Sequence, residues 1–467
     1  MIKLIKTVRG KYIYDSNLNK VYKTGQAEWE ILQKYDEGYI SESENHTVKY
    51  LLDRGIGISN RVKKIQNPMA DMIEDILEND LQLLILQVTQ NCNLRCEYCV
   101  YSEDYVGRKH NCAKMEFEIA RDAIIFFMKR SRGDTVVTIN FYGGEPLLNF
   151  SVIQECVKYV EDNYGARKVF YGITTNGTIL DEEIMSFLEK KRFRVVISLD
   201  GNEEENDKNR KYINGDGTFR TIYSKLEKIR ECFPELWENI SFNRVKAPNH
   251  NLRACDNFFK ENELFEGRKV RGDYITDNNL KKEILFADSE IEYEAVEKSK
   301  ALLSVYGKAD KIKLDDYCVL YRDDIKRMLY NLRKGRHLRE ISHPGGVCMP
   351  GKERLFVNVK GELFPCERCN ELSHVMCIGT TETGFNYKNI RAQMNAGREM
   401  EECLNCWAFQ LCNICQAQSD DGQNISPQER LKKCDRVKMI MEQKLRDCCL
   451  YAEIERKQDN GKAHIVI

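Results

Sequence analysis

The chain has 467 residues, of which 42% are hydrophobic and 31% are charged. This composition supplies enough apolar material for packed cores and excludes a disordered or fibrous chain. Lys and Arg number 72 against 73 Asp and Glu, for a formal net charge of −1, which argues against a protein that coats nucleic acid. At roughly 150 residues per domain, the length predicts about three domains.

The cysteine content needs a separate explanation. The sequence has no run of about 18 apolar residues, so a transmembrane helix is not expected, and residues 1–6 are too short and too charged for a secretory signal. We therefore expect a cytoplasmic protein that binds neither membranes nor nucleic acid and whose thiols are reduced. Because disulfides are rare in that compartment, the 19 cysteines indicate another role, and closely spaced thiolates usually bind metal.

The first 80 residues predict a small unit of their own. Segments 3–8 and 11–23 alternate in the manner of strands, with breaks at residues 9–10 and 17–19. Helical spacing follows at 26–35, 44–53 and 68–79. Strands followed by three helices indicate a winged-helix-like module with one open strand edge.

From Leu81 onward, strands and helices alternate. The predicted strands span 84–88, 136–142, 169–174, 195–199 and 240–245, and the helices between them span 116–129, 152–163, 181–190, 219–231 and 252–262. This alternation predicts an α/β fold with a parallel sheet, closed or partly closed into a barrel. In such sheets the chemistry gathers at the C-terminal ends of the strands. Residues 276–345 are charged and helical in pattern, and no motif is recognisable in them.

Three cysteines follow the first of these strands. Cys92, Cys96 and Cys99 form a C-x3-C-x2-C loop, called the cysteine loop below. Three thiolates on one short loop can bind three irons of a [4Fe–4S] cluster and leave the fourth iron open, and an open position is typical of a catalytic metal site. On spacing alone, a three-cysteine zinc site completed elsewhere is the alternative. The singly placed cysteines are expected to be inert: Cys112, Cys156, Cys232, Cys255 and Cys318.

The cysteine loop and four later motifs, in this order, resemble the radical S-adenosylmethionine (radical SAM) enzymes. An aromatic residue, Tyr98, precedes the last cysteine of the loop. The later motifs are Gly143-Gly144-Glu145-Pro146, Thr174-Thr175-Asn176-Gly177, Ser198-Leu199-Asp200-Gly201 and Asp207-Lys208-Asn209-Arg210. The resemblance implies a partial parallel (β/α)6 barrel in which the cysteine loop holds the cluster that cleaves S-adenosylmethionine (SAM).

The same resemblance implies the contacts to SAM. The turn at residues 143–146 binds the amino group of the methionine through backbone oxygens and the acid, which complement an ammonium. Arg210 suits the carboxylate, because a guanidinium binds a carboxylate in bidentate fashion. The full set of implied cofactor-binding residues is Tyr98, Gly143, Gly144, Glu145, Pro146, Thr175, Asn176, Ser198, Asp200 and Arg210.

A second cysteine pattern extends from residue 348 to residue 434. It consists of Cys348, the Gly361-x4-Cys366 motif, Cys403-x2-Cys406-x5-Cys412-x2-Cys415 and Cys434. This pattern resembles the SPASM extension, which holds two auxiliary [4Fe–4S] clusters in peptide-modifying radical enzymes. The family has three residues between the last two cysteines of the middle group, whereas this chain has two. By themselves, paired C-x2-C groups also match a zinc ribbon.

The SPASM resemblance implies two sets of ligands. The outer cluster is expected on Cys403, Cys406, Cys412 and Cys434. The inner cluster is expected on Cys348, Cys366 and Cys415, with Cys369, Cys377 or a substrate thiolate in the fourth position. Glu367 occupies the place of an aspartate that acts as a base in sulfatase-maturing relatives, and a solvated surface glutamate is the alternative. Cys448 and Cys449 lie beyond the pattern and are expected to be spare thiols.

The motifs together predict a domain organisation. We expect a peptide-recognition module at 1–80, the radical SAM barrel at 81–275, a helical bridging region at 276–345, a SPASM domain with two auxiliary clusters at 346–450 and a tail at 451–467. The N-terminal module resembles the leader-binding element of ribosomal-peptide maturases, in which the leader adds a strand to an exposed sheet edge. A cap over the end of the barrel is the alternative.

The whole arrangement resembles the maturases that install thioether crosslinks in cysteine-rich peptides of the sactipeptide and ranthipeptide types. It implies three [4Fe–4S] clusters, SAM, a precursor peptide bound through its leader, and an external electron donor of the flavodoxin or ferredoxin type. Carbon–carbon crosslinking, epimerisation and formylglycine formation in a sulfatase are the alternatives within the same class. A zinc-stabilised peptide-binding adaptor without catalysis is the alternative from another class.

Overall fold

The computed structural model describes residues 1–40, 45–53, 55–57, 60–102, 104–106, 108–304, 316–344, 348–395 and 400–458. Most of the predicted second helix lies inside these ranges, and Glu44, its predicted first residue, lies outside them. No helix within the described ranges is long and apolar enough to cross a membrane.

The chain begins with a three-stranded antiparallel sheet. Its strands are β1 (Ile2–Lys6), β2 (Lys11–Asp15) and β3 (Lys20–Thr24), and the helices α1 (Gln26–Asp36) and α2 (His46–Asp53) follow. The predicted break between the second and third strands is confirmed. There Asn19 adopts a left-handed conformation at φ 50°, and the Asp15 carboxylate accepts the N–H groups of Asn17 and Leu18 at 2.8 and 3.0 Å, so an Asx-type turn reverses the chain.

The third predicted helix is shorter than expected. After β4 (Lys64–Ile65), helix α3 (Ile73–Asn79) begins at Ile73 and not at Pro68, because residues 68–72 form turns. The Asn67 side chain supports these turns by accepting the N–H of Met69 at 3.0 Å. Ile73 and Leu77 pack into the core of the following strand–helix region.

Six parallel strands form the centre of the molecule, as the α/β prediction requires. They are β5 (Leu83–Thr89), β6 (Val137–Gly143), β7 (Val169–Thr175), β8 (Arg194–Ser198), β9 (Ile240–Lys246) and β10 (Val270–Tyr274). They lie side by side in chain order from β5 to β10. Each of the five predicted strands is confirmed to within two residues, and β10 is a sixth that the sequence pattern did not indicate.

Helices connect these strands and cover the sheet. They are α4 (Phe117–Lys129), α5 (Phe150–Tyr164), α6 (Glu182–Lys190), α7 (Glu203–Asn209), α8 (Phe219–Cys232), α9 (Pro234–Glu238) and α10 (Leu252–Glu261). The main core consists of apolar strand residues such as Leu86, Phe141 and Ile173, which stand opposite one another in register. Continuous apolar runs of this kind are characteristic of parallel strands that helices bury.

The sheet continues into the cysteine-rich part of the chain. After α11 (Asp288–Leu303), α12 (Asp316–Lys334) and β11 (Ile341–Ser342) come four short strands, β12 (Leu355–Val357), β13 (Glu362–Phe364), β14 (Gly379–Thr380) and β15 (Gly384–Phe385). Strand β12 pairs in parallel with β5, and β13 to β15 extend it in antiparallel fashion to ten strands. The barrel and the cysteine-rich region therefore share one hydrogen-bonded sheet.

Three helices follow these strands, and the last of them returns to the N-terminal sheet. They are α13 (Tyr387–Asn395), α14 (Glu401–Leu404) and α15 (Pro427–Gln458). One face of the β1–β3 sheet packs on α1 and α2 through Ile2, Ile13 and Leu32. The other face packs on α12 and α15, and the buried residues of that interface are Ile5, Tyr12, Tyr14, Val21, Ile325, Leu329, Leu332, Leu445, Cys448, Cys449, Tyr451 and Ala452.

The loop between Cys406 and Cys412 also contacts the N-terminal sheet. The Tyr14 and Trp407 rings meet edge to face with centroids 6.4 Å apart, and the Lys3 ammonium lies 5.4 Å from the centre of the Trp407 ring. The Gln410 amide donates to the backbone oxygens of Ser16 and Arg336 at 2.8 and 2.7 Å. The N-terminal sheet is thus held on both the bridging region and the cysteine-rich region.

Candidate functional site

The cysteine loop lies at the C-terminal end of β5, in contact with several later segments. The Arg95 and Glu97 N–H groups donate to the backbone oxygens of Lys211 and Asn209 at 2.8 and 3.2 Å. On the other side, the Asn93 amide donates to the Thr178 hydroxyl at 2.8 Å. These bonds hold the loop across the ends of the central strands, where the parallel-sheet prediction placed the chemistry.

The three thiols of the cysteine loop sit close to one another. Burial raises the pKa of Cys92 to about 12, of Cys96 to about 12 and of Cys99 to about 11. Neighbouring thiols of the same loop add to each of these shifts, Cys96 acting on Cys92 and Cys92 acting on Cys99. Because metal ligands must be deprotonated, loading this loop releases protons.

The glycine turn after β6 packs directly on the residues that lead into the cysteine loop. The Gly144 N–H donates to the Thr89 oxygen and the Glu145 N–H donates to the Asn91 oxygen, both at 2.9 Å. A Cβ atom at Gly143 would lie 2.1 Å from the Thr89 oxygen, and one at Gly144 would lie 2.2 Å from the Asn91 oxygen. Only glycine allows this approach, which explains the Gly143-Gly144 pair physically.

The Glu145 carboxylate is fully buried and joins two strand ends. It accepts the Thr175 hydroxyl at 2.8 Å and the N–H groups of Asn176 and Leu147 at 2.7 and 3.1 Å. Burial nevertheless raises its pKa to about 7, and these three hydrogen bonds act in the opposite direction. Pro146 begins the short 3₁₀ turn Pro146–Asn149 that follows. A cation bound beside this carboxyl group would favour its ionised form.

Asp200 and Arg210 form a buried bidentate ion pair. The Arg210 Nε and Nη2 atoms lie 3.0 and 3.1 Å from the two Asp200 carboxylate oxygens. Asp200 also accepts the Tyr98 hydroxyl and the Val245 N–H, and the Tyr98 ring lies 5.4 Å from the guanidinium. The pair therefore connects the cysteine loop to the ends of β8 and β9, and two N–H groups of Arg210 are occupied by Asp200.

Four cysteines of the C-terminal region form an inner thiol group: Cys348, Cys366, Cys369 and Cys415. The Cys369 thiol donates a hydrogen bond to the Cys366 sulfur, which lowers the pKa of Cys366 and raises that of Cys369. Burial is the main cause that raises the pKa values of Cys348 and Cys415. Neighbouring thiols add to these shifts: Cys366 and Cys415 act on Cys348, and Cys366 acts on Cys415. In contrast, the Cys377 thiol donates to the Gly379 oxygen at 3.3 Å.

Four other cysteines form an outer thiol group: Cys403, Cys406, Cys412 and Cys434. Burial raises the pKa of Cys434 to about 11, and the other three thiols add to the shift. The buried Arg430 guanidinium, which the sequence motifs did not indicate, donates to the Cys412 sulfur at 3.4 Å and to the Ile414 oxygen at 3.3 Å. This donor set suits an iron–sulfur cluster, whose sulfurs commonly accept hydrogen bonds.

The remaining cysteines show no such grouping. Within the described ranges, no three Cys, His, Asp or Glu side chains converge in the arrangement that holds a single metal ion. Cys156, Cys255, Cys318, Cys448 and Cys449 are buried, whereas Cys112 and Cys232 are exposed.

Side chains beside the seam between β5 and β12 link the segment after Cys369 to β5 and to the segment after Cys99. Glu371 accepts the Tyr101 hydroxyl at 2.7 Å and the Gln87 and Gln90 amides at 2.9 Å. Glu367 faces Tyr142 at the end of β6. Burial raises the pKa of Tyr142 to about 12, and the negative charge of Glu367 is the second largest cause of this shift. Sequence motifs did not indicate Tyr142 or Glu371, because neither belongs to a recognisable pattern.

Glu367 is a mostly buried residue. Its side chain is 15% exposed and its Oε1 atom pairs with the Arg354 Nη1 atom at 2.6 Å, so it is not a solvated surface glutamate. Its Oε2 atom is buried without a hydrogen-bond partner among the described residues. One carboxylate oxygen of Glu367 is thus unpaired within the described part of the chain.

Comparisons with known proteins agree with this site. The model of the Radical SAM superfamily matches residues 86–260. An uncharacterized protein of Methanocaldococcus jannaschii is 32% identical over 298 residues, which cover 63% of this chain and 87% of that protein. The cysteine-type anaerobic sulfatase-maturating enzyme of Clostridium perfringens is 25% identical over 385 residues, 78% of this chain and 95% of that enzyme.

A solved structure shows the same fold. Native anSMEcpe with bound AdoMet and Cp18Cys peptide matches with a TM-score of 0.53 and 21% identity, over 77% of this chain and 98% of that one. The chain belongs to the radical SAM superfamily and is an enzyme. More particularly, it is a radical SAM enzyme with a SPASM-like, cysteine-rich C-terminal part, and the family implies a [4Fe–4S] cluster and SAM as cofactors.

The close approach at Gly144 predicts a selective loss of SAM binding. In Gly144→Ala the new methyl group collides with the Asn91 backbone, so the turn shifts away from the cysteine loop while the core stays intact. We expect the dissociation constant for SAM to rise at least tenfold. It is measured by equilibrium binding to anoxically reconstituted protein. Gly133→Ala is the matched control, because a Cβ there meets no atom within 4 Å. Equal affinities in the two variants would contradict this account of the turn.

The raised pKa of Glu145 predicts pH-dependent SAM binding. With a pKa of about 7 in the free site, the carboxyl group is neutral below pH 7 and ionised above it, and the ammonium of SAM favours the ionised form. Affinity therefore rises with pH, by up to about tenfold per unit below pH 7, and levels off above it. The measurement is SAM binding between pH 5.5 and 7.5. The Glu145→Gln variant should bind SAM more weakly, and its affinity should not change with pH. If the affinities of the variant and the wild type changed with pH in parallel, a group other than Glu145 would be titrating.

Proposed function

We propose that this enzyme is a peptide maturase that installs thioether crosslinks between a cysteine sulfur and a carbon of an acceptor residue in a ribosomally made precursor peptide. The observation that carries the proposal is the seam between β5 and β12. Across it, Glu371, two residues after Cys369, accepts the hydroxyl of Tyr101, two residues after Cys99. This link supports a site in which a bound peptide would meet a hydrogen-abstracting group and an electron-accepting group together.

The residues of the proposed cofactor sites follow from the thiol groups. Cys92, Cys96 and Cys99 would hold the SAM-cleaving cluster. The inner and outer thiol groups would hold two auxiliary [4Fe–4S] clusters, for three in all. When bound, the cleaving cluster and SAM supply a 5′-deoxyadenosyl radical that removes a hydrogen atom from a substrate carbon. An external flavodoxin- or ferredoxin-type protein would supply the electron.

The protein's own groups orient SAM and the peptide. The Gly143–Gly144 turn offers backbone oxygens, and Glu145 offers a carboxylate, to the ammonium of SAM. Thr175 and Asn176 fix Glu145 through the hydrogen bonds described above. Ser198 lies at the end of β8, and the Asp200–Arg210 pair fixes Tyr98, which belongs to the cysteine loop. Arg210 would offer N–H groups not bonded to Asp200 to the SAM carboxylate.

Glu367 would act as the base for the substrate thiol. Its Oε2 atom has no hydrogen-bond partner among the described residues, whereas its Oε1 atom pairs with Arg354. Oε2 would therefore be the atom that accepts the thiol proton. In the balanced reaction one C–H and one S–H bond break and one C–S bond forms. The carbon's hydrogen atom leaves with the deoxyadenosyl group, the thiol proton goes to Glu367, and the surplus electron goes to an auxiliary cluster.

The N-terminal sheet would bind the leader of the precursor. Strand β3 is an outer strand of the sheet, with no further strand paired to it among the described residues. An extended peptide can add to such an edge through main-chain hydrogen bonds, with little demand on sequence. Helices cover both faces of the sheet, so an outer edge is the surface left for this mode of binding.

Formylglycine formation is the second candidate function. It is favoured by the similarity to a cysteine-type anaerobic sulfatase-maturating enzyme over 95% of that enzyme's length. Glu367 is adjacent to Cys366, as the base is in such enzymes by resemblance, so this site does not separate the two reactions. The product separates them, because formylglycine leaves an aldehyde, whereas a thioether consumes a thiol without creating one.

The decisive experiment uses a short cysteine-containing precursor, to be sought among the reading frames beside the gene, with anoxically reconstituted enzyme, SAM and a reductant. We expect product that is two hydrogens lighter per link, resists iodoacetamide at the linked cysteine and does not react with an aldehyde probe. Cys96→Ala should abolish both deoxyadenosine and product, and Cys412→Ala should retain some SAM cleavage without product. An aldehyde-bearing product would establish the second candidate, and deoxyadenosine from Cys96→Ala would refute the cleaving site.

The contacts of Cys369 predict which thiol completes the inner set. The Cys369 thiol is hydrogen-bonded to the Cys366 sulfur, whereas the Cys377 thiol is hydrogen-bonded to a backbone oxygen. We therefore expect Cys369→Ala to lose iron or to show the EPR signal of a three-iron cluster, and Cys377→Ala to match the wild type. Iron analysis and EPR of reconstituted protein check this. If only Cys377→Ala lost iron, Cys377 would be the ligand.

A further inference from the structure

A basic surface surrounds the turn that leads into β3. Its cations come from three stretches of the chain: the start of β3, the residues around the start of β4, and the residues after α12. None of their side chains pairs with a carboxylate within the described ranges, and all but Lys20 are exposed: Lys20, Arg61, Lys64, Lys334, Arg336 and Arg339. Of the neighbouring cations, Lys63 pairs with Glu340 at 2.5 Å and Arg333 pairs with Glu455 at 2.6 Å.

Hydrogen bonds hold these stretches together at the turn. Two N–H groups after α12, those of Arg336 and Leu338, donate to backbone oxygens of the turn at 2.9 and 2.8 Å. The Arg61 N–H donates to the Asn17 side-chain oxygen at 3.4 Å. Strand β4 pairs in parallel with β11, which places Lys64 opposite Ile341. The cations therefore belong to one surface with a fixed backbone and not to separate loops.

A glycine brings the Lys20 side chain onto this surface. Gly335 has a φ of 70°, and a Cβ atom there would lie 2.4 Å from the Lys20 Cε atom and 3.2 Å from the Leu18 oxygen. The aliphatic part of Lys20 thus packs on a glycine that stands between Lys334 and Arg336 in the sequence. Because Lys20 is the first residue of β3, the basic surface meets the open edge of that strand.

We propose that this basic surface binds an acidic segment of the precursor's leader. The inference rests on the proposed function, in which β3 receives the leader as an added strand. Like charges gathered without acidic partners repel one another, and the carboxylates of a bound peptide would relieve that repulsion. Single exposed charge pairs contribute little to affinity, but several together speed association and select a partner by its charge.

The orientation of β3 also gives the position of the acidic segment in the leader. The strand runs from Lys20 to Thr24, so the C-terminal end of an antiparallel partner lies beside Lys20. The turn next to Lys20 contacts the cysteine-rich region, because the Gln410 amide donates to the Ser16 oxygen at 2.8 Å. The acidic residues would therefore lie at the C-terminal end of the leader, and the residues to be modified would continue toward the cysteine-rich region.

The test measures the binding of synthetic fluorescein-labelled peptides to the full chain by fluorescence anisotropy at low ionic strength. The probes share one length and a Thr-rich, strand-forming background. One carries Glu residues in its C-terminal half, one carries the same number of Glu residues in its N-terminal half, and one carries Gln in their place.

Two double variants locate the binding surface. Lys334→Glu/Arg336→Glu reverses two exposed cations of the basic surface. Lys158→Glu/Lys190→Glu is the matched control, because it makes the same change of net charge at exposed lysines on α5 and α6, which pack on the barrel core. Circular dichroism is measured for both variants.

We expect the probe with C-terminal Glu residues to bind the wild type about tenfold more tightly than either other probe. The Lys334→Glu/Arg336→Glu variant should lose this preference, and the control variant should keep it. Added salt should weaken the wild-type interaction. Hydrogen exchange should show that this probe protects residues 20–24 and 333–339.

Equal affinities of the wild type for the two Glu-containing probes would overturn the proposal, because binding would then depend on net charge alone. Retention of the preference in folded Lys334→Glu/Arg336→Glu would overturn it too. If that variant kept the preference but was reduced by a flavodoxin more slowly than the wild type, the surface would serve an acidic carrier protein instead. The crosslinking assay does not use these probes, so absence of a thioether product despite selective probe binding would refute the proposed function alone.

Discussion

The architecture depends on the parallel pairing of β12 with β5. Only three residue pairs make this contact, Leu355 to Val357 against Leu84 to Leu86. Strand β5 leads directly into the cysteine loop, and the hairpin of β12 and β13 leads directly into Cys366. The pairing therefore fixes the distance between the two regions that carry the chemistry. The Phe356 and Phe364 rings pack with Ile85 on one side of this seam. Apolar burial therefore stabilises a strand pairing that has few hydrogen bonds of its own.

Polar groups beside the seam are held by buried hydrogen bonds. Glu145, Asp200 and Glu371 each accept hydrogen bonds from at least three residues. Asp200 ties Tyr98 to β9, Glu371 ties Tyr101 to β5, and Glu145 ties the glycine turn to the end of β7. Because an unmet buried carboxylate is costly, these groups specify one arrangement of the loops. The Oε2 atom of Glu367, by contrast, is buried without a hydrogen-bond partner among the described residues.

Much of the fold could be predicted from the sequence, and the reasons are local. Strands such as Val137–Gly143 are apolar runs next to helices with clear 3.6-residue spacing, so their bounds were correct to within two residues. Strand β10 was missed because Val270–Tyr274 contains two charges and a glycine and lies at the sheet edge. Strands β12 to β15 have only two or three residues. The pairing of β12 with β5 joins segments about 270 residues apart, which no local pattern encodes.

The site divides in the same way. The ordered motifs identified the cysteine loop, the glycine turn and Asp200, because close backbone approach and buried charge restrict which residues can stand there. The choice between Cys369 and Cys377 could not be made from spacing, since it depends on which thiol turns toward Cys366.

The contact of Trp407 with Tyr14 couples the outer thiol group to the N-terminal sheet. Trp407 and Gln410 lie on the short loop between Cys406 and Cys412, so the conformation of that loop determines how firmly the N-terminal sheet is seated. A rearrangement of the four thiols would be transmitted through this loop to Lys3, Tyr14 and Ser16. Two parts of the chain that lie almost 400 residues apart are therefore mechanically interdependent.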